Sequence, residues 1–87
     1  MYIVIKLRYD PAADAIYIYL GKKRRLTCTK GMHNAHSMRM LDYDTENSPI
    51  GIEVLGTTRG IDVEGLPKQA ELAALLQAYG FKVLAAH

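Results

Sequence analysis

The 87-residue chain has no tryptophan, one phenylalanine and a single cysteine, Cys28. One thiol cannot close an internal disulfide, so noncovalent burial must hold the fold together. No apolar run approaches the roughly 20 residues that a membrane-spanning helix needs, and no basic segment followed by a long apolar stretch opens the chain. A soluble protein of the cytoplasm, without membrane contact, is therefore expected. Charge of one sign is scarce too: 11 Lys and Arg against 9 Asp and Glu leave a net +2, far below a dedicated nucleic-acid binder. Repeats, low-complexity segments and catalytic motifs are also missing. What is present is ordinary for a globular protein, 49% apolar and 23% charged residues, which argues against disorder. The length suits one small domain over residues 1–87. A domain of this size buries only about 60% of its unfolded surface, so burial against a second copy would supplement its core.

The chain is rich in alternation. From Tyr2 to Tyr9, Ile3, Ile5, Leu7 and Tyr9 point one way and Tyr2, Val4, Lys6 and Arg8 the other, the period of a strand. Asp10-Pro11-Ala12-Ala13-Asp14 reads as a connector in which Asp10 caps one helical turn and Pro11 fits its first position. Alternation resumes with Ile16, Ile18 and Leu20 on one face and Tyr17 and Tyr19 on the other, completing a hairpin that Gly21 ends. Arg25 to Lys30 gives a weaker strand, with Leu26 and Cys28 inward. Gly31 to His36 lacks a period and reads as a loop. Ser37 to Tyr43 separates Met38 and Met40 from Arg39, Leu41 and Tyr43 without revealing which side is core. Residues 44–49 form a hairpin loop, and Ile50 to Leu55 returns with Ile50, Ile52 and Val54 on one face and Gly51 leaving the other open. After an irregular stretch, Pro67 starts a helix whose Leu72, Leu75, Leu76 and Tyr79 fall at i, i+3, i+4 and i+7, stopped by Gly80. Phe81 to Ala85 resembles a short final strand that parallel pairing with a neighbour would accommodate. The expected fold class is α+β: an antiparallel meander of about five strands, one C-terminal helix packed on the sheet, and a short final strand.

Two blocks carry a family likeness: Tyr9-Asp10-Pro11-Ala12-Ala13-Asp14-Ala15-Ile16-Tyr17-Ile18, and Leu41-Asp42-Tyr43-Asp44 followed by Ile50-Gly51-Ile52-Glu53-Val54-Leu55. Over residues 3–56 the chain resembles the YuzE-like family of small bacterial and archaeal proteins, a domain of unknown function. Residues 57–87 look like an extension found in some relatives, and the segment between Cys28 and Met38 departs from the family pattern. The resemblance implies a β-rich fold, an unassigned activity and, for some relatives, pairing with a small ribonuclease-type toxin.

Asp10, Asp14, Asp42, Asp44 and Glu53 offer carboxylates for acid/base or hard-metal chemistry if the fold gathers them. The simpler reading has Asp10 capping a turn, Asp14 and Asp44 flanking connections, and Glu53 on a polar strand face. Cys28, His33 and His36 are three zinc-type ligands where a structural site normally needs four, so loop histidines and a small core cysteine fit better. No catalytic, cofactor or metal residue is therefore assigned. Lys22-Lys23-Arg24-Arg25 places four cations at a turn, a weak nucleic-acid contact that Lys30 and Arg39 would extend, or a solvated tip that discourages edge pairing. Tyr2, Val4, Tyr17 and Tyr19 form a second sheet face that one helix cannot cover as well as the first. Either the connection from Gly56 to Leu66 folds over it, or a second copy does. The expectation is a non-enzymatic protein-association module forming a homodimer or higher homo-oligomer, with an antitoxin-like partner role, nucleic-acid binding and enzyme chemistry as the alternatives.

Overall fold

The computed structural model describes residues 4–21, 25–33 and 37–84, Val4 and Ile5 through their backbone alone. Among these lie β1 (Val4–Asp10), β2 (Ala15–Leu20), β3 (Cys28–Gly31), β4 (Met38–Tyr43), β5 (Pro49–Leu55), a 3-10 turn at Thr57–Arg59 and one helix, α1 (Gln69–Ala78). The α+β class agrees with the sequence, but the sheet is not a simple meander. Its order is β1-β2-β5-β4-β3, antiparallel throughout, with Ile16 opposite Val54 and Ile18 opposite Ile52 at the central pairing. Burial explains the rearrangement. Strands β2 and β5 carry the densest run of inward β-branched and leucine side chains, and pairing them puts those side chains at the centre of the sheet. β3, exposed along its whole length, goes to the edge.

One face of the sheet is the core. Ile16, Ile18, Leu20, Leu41, Ile52 and Val54 pack with Ile61, Val63 and Leu66 of the following connection and with Leu72 and Leu76 of α1. The connection from Gly56 to Leu66 thus covers the face that the helix also covers, which sets aside the alternative in which it folds over the tyrosine face. The core side of β4 is now fixed as that of Arg39, Leu41 and Tyr43.

Several local expectations need correction. Leu26 is 53% exposed and Cys28 is exposed, so neither points into a core; the strand is too short and too far to the edge for the cover to reach it. The helix begins at Gln69 rather than Pro67, with Lys68 left-handed before it. Tyr79, 64% exposed, leaves the buried stripe because the helix ends at Ala78 and Tyr79 is its cap. The stop itself is as expected. Gly80, at φ 88°, donates to the Gln77 carbonyl at 3.0 Å, and Phe81 N–H reaches back to Leu76 at 2.9 Å, a Schellman closure that turns Phe81 against the core. Among the described residues, the segment after the helix forms no strand of the sheet. Val83 makes an isolated parallel bridge to Ile61, through Ile61 N–H to Lys82 O and Leu84 N–H to Ile61 O. Ala85, and with it the end of the expected final strand, lies outside the described residues.

Two polar side chains fasten the cover to the sheet. Arg39, only 4% exposed, donates Nε–H to the Met32 carbonyl at 2.9 Å and its guanidinium to the carbonyls of Asp62 and Glu64. Asp14, left-handed at φ 50°, accepts from the Thr57 hydroxyl at 2.5 Å and from the hydroxyl of Thr58 at 2.7 Å. These hydroxyl donors, helped by the Thr58 N–H and the Arg59 charge, hold its carboxyl below the usual value against the opposing effect of burial.

Candidate functional site on the open sheet face

The register places side chains of the second face in rows across the strands. Arg8, Tyr17, Glu53 and Met40 form one row; Lys6, Tyr19, Gly51, Asp42 and Thr29 form the next. Beside them stand Leu55 and Met38, the latter 46% exposed. Among the described residues no element packs over these rows. The face is therefore a polar-rimmed apolar surface with cations on β1, tyrosines on β2 and carboxylates on β5 and β4.

Its centre is a hydrogen-bonded strap. Tyr17 lies across β5 and donates its hydroxyl to Asp42 Oδ2 at 2.6 Å, while Thr29 donates to Asp42 Oδ1 at 2.5 Å. The crossing passes over Gly51, where a Cβ would overlap the Tyr17 hydroxyl, so glycine is required by close approach. Burial, followed by the bond to Asp42 and its negative charge, pushes the Tyr17 phenol well above its ordinary value. Tyr19 meets Tyr17 edge-on with centroids 4.7 Å apart, and Lys6 Nζ stands 5.6 Å from the Tyr19 ring. Next to the strap a shallow hollow of about 430 Å³ is bordered by Arg8, Asp10, Tyr17, Glu53 and Leu55.

The five carboxylates singled out from the sequence are dispersed over different tasks. Asp10 accepts from Ala12 and Ala13 N–H, capping the first connector as expected. Asp14 fastens the 3-10 turn. Asp44, buried, accepts from Glu46 and Ser48 N–H inside the β4–β5 loop. Asp42 and Glu53 stand on the open face, with Asp10 at the margin of its hollow. Among the described residues, no three His, Cys, Asp or Glu side chains gather as a metal site would require. His33 is exposed and its Nδ1 accepts from Arg39 N–H, while His36 lies outside the described residues.

The basic tip is mostly outside them also: of Lys22, Lys23, Arg24 and Arg25, only Arg25 is described, and it is exposed. Arg39 cannot extend that patch, because its guanidinium is buried among backbone carbonyls; Lys30 stands over the Tyr43 ring at 5.3 Å. Sequence reasoning missed this burial of Arg39 and the Asp42 strap. The one signal for the strap was Gly51 between Ile50 and Ile52, a gap opposite two tyrosines. Tyr2 and the side chain of Val4, expected on the same face, lie outside what is described.

No helix among the described residues is long and apolar enough to cross a membrane. No curated protein and no solved structure matches the chain. A family model described as Protein of unknown function (DUF2283) matches residues 6–57, the stretch from β1 through β5 that builds the sheet, the strap and the charged rows. With more than half of its length in that match, the chain belongs to the DUF2283 family.

Proposed function

We propose that this protein is a non-enzymatic association module that self-associates through the open sheet face, the occupant being a second copy of the chain. The observation that carries this reading is the group of Tyr17, Tyr19, Leu55, Met38 and Met40, from neighbouring rows of a face that neither the helix nor the connection from Gly56 covers. Aromatic and methionine side chains set within charged residues are the composition of association surfaces. The chemistry of the face supports the same reading. Tyr17 is held protonated, and so is a poor base or nucleophile at neutral pH, and the hollow beside it is shallow and open.

Light scattering at micromolar concentration tests the proposal. A mass of twice the 9.7 kDa chain, reduced to 9.7 kDa by Tyr19→Lys with the fold retained, is the expected result. A strictly monomeric wild type overturns it. An antitoxin-like role would instead leave the chain monomeric until a different protein is added.

A further inference from the structure

The open face is electrostatically lopsided in a way that restricts how two copies can meet. Lys6 and Arg8 project from β1, Tyr17 and Tyr19 from β2, and Glu53 from β5, in that lateral order. The side chains of Glu53 and Arg8 have no hydrogen-bond or ion-pair partner among the described residues. They flank Tyr17 on opposite sides in one row.

Two kinds of two-fold axis stack such a face on itself. An axis perpendicular to the strands keeps each strand over its own copy, setting Arg8 and Lys6 against the same cations and Glu53 against Glu53. Like charges so placed cost several kcal/mol and suppress that arrangement. An axis parallel to the strands reverses the lateral order. Placed over β2, it lays the tyrosine pair on the partner's tyrosine pair and β1 on the partner's β5.

Resting on the self-association reading, we propose that the chain forms a two-fold stack about an axis along β2, in which Arg8 of each copy pairs with Glu53 of the other. Facing sheets lie about 10 Å apart, a gap that an arginine and a glutamate reaching toward each other can bridge. Because the axis duplicates the contact, the interface has two equivalent Arg8–Glu53 pairs flanking an aromatic centre, the placement typical of interface anchors.

Charge reversal tests the arrangement, read by sedimentation or light scattering over a dilution series. Arg8→Glu alone and Glu53→Arg alone should each raise the dimer Kd by roughly 30-fold or more. The double variant should dimerise again, and an equimolar mixture of the two single variants should form a heterodimer, since both of its cross-pairs are then opposite in sign. Neither side chain belongs to the core, and a wild-type far-ultraviolet circular dichroism spectrum shows that each variant is folded. If the single variants stay dimeric, or neither the double variant nor the mixture re-associates, this arrangement is overturned while self-association stands. A monomeric wild type overturns both.

Discussion

Tyr17 shows how one side chain couples three strands. Its backbone belongs to β2, its ring crosses β5 above Gly51, and its hydroxyl ends on Asp42 of β4, which Thr29 of β3 also serves. A hydrogen bond to an ionised acceptor contributes about 1.5–3 kcal/mol, and partial exposure of this one favours the lower end. Tyr17→Phe should thus cost about 1.5 kcal/mol in urea unfolding, and a change below about 0.5 kcal/mol, the range of an indifferent surface substitution, would show the strap to be idle. Alkali provides a separate reading. The folded phenol is held above its ordinary value near 10, whereas the unfolded one ionises there. Its contribution is complete below pH 10 and is lost as pH rises beyond it, because unfolding then releases a proton. Wild type should accordingly lose stability more steeply than Tyr17→Phe above pH 10, in unfolding curves recorded across that range.

At the scale of elements, the helix and the connection form a single lid seated on one side of the sheet. Leu76 is fully buried under it, so Leu76→Ala should cost about 2–5 kcal/mol by thermal or urea unfolding. Tyr79→Ala, one turn along the same stripe, should change stability by no more than about 0.5 kcal/mol, since that ring stands in solvent. Equal losses at the two positions would contradict the observed end of the helix. The pair also shows what a sequence discloses. The hairpin of β1 and β2 was legible because Ile16, Ile18 and Leu20 alternate strictly with Tyr17 and Tyr19, and the helix stop because Gly80 accepts a left-handed backbone. Periodicity extended the stripe to Tyr79 because it carries no information on which residue caps the helix. Arg39 was illegible for a different reason: its acceptors are carbonyls of residues 32, 62 and 64, which only the tertiary fold brings together. In the candidate site, the face bearing Tyr17 and Tyr19 could be read from alternation. Its pairing with Asp42 depended on a strand order that local pattern does not encode.

For the whole molecule, the division of labour follows the family boundary. Residues 6–57 supply the sheet, and Ile61, Val63, Leu66, Leu72 and Leu76 beyond that boundary supply what covers it. A chain ending after Thr57 would leave Ile16, Ile18, Leu41, Ile52 and Val54 in water on one face and the tyrosines on the other. It should show no cooperative thermal transition by circular dichroism, and a sharp two-state transition in that fragment would mean that the sheet needs no lid. The central pairing of β2 with β5 has a consequence in time as well. Ala15–Leu20 leaves the ribosome about 35 residues ahead of the strand it must join, an interval of roughly two to seven seconds at ordinary translation rates. Through that interval the nascent hairpin presents Ile16 and Ile18 without β5 and without the lid, making it a ready client for chaperones that bind emerging apolar segments.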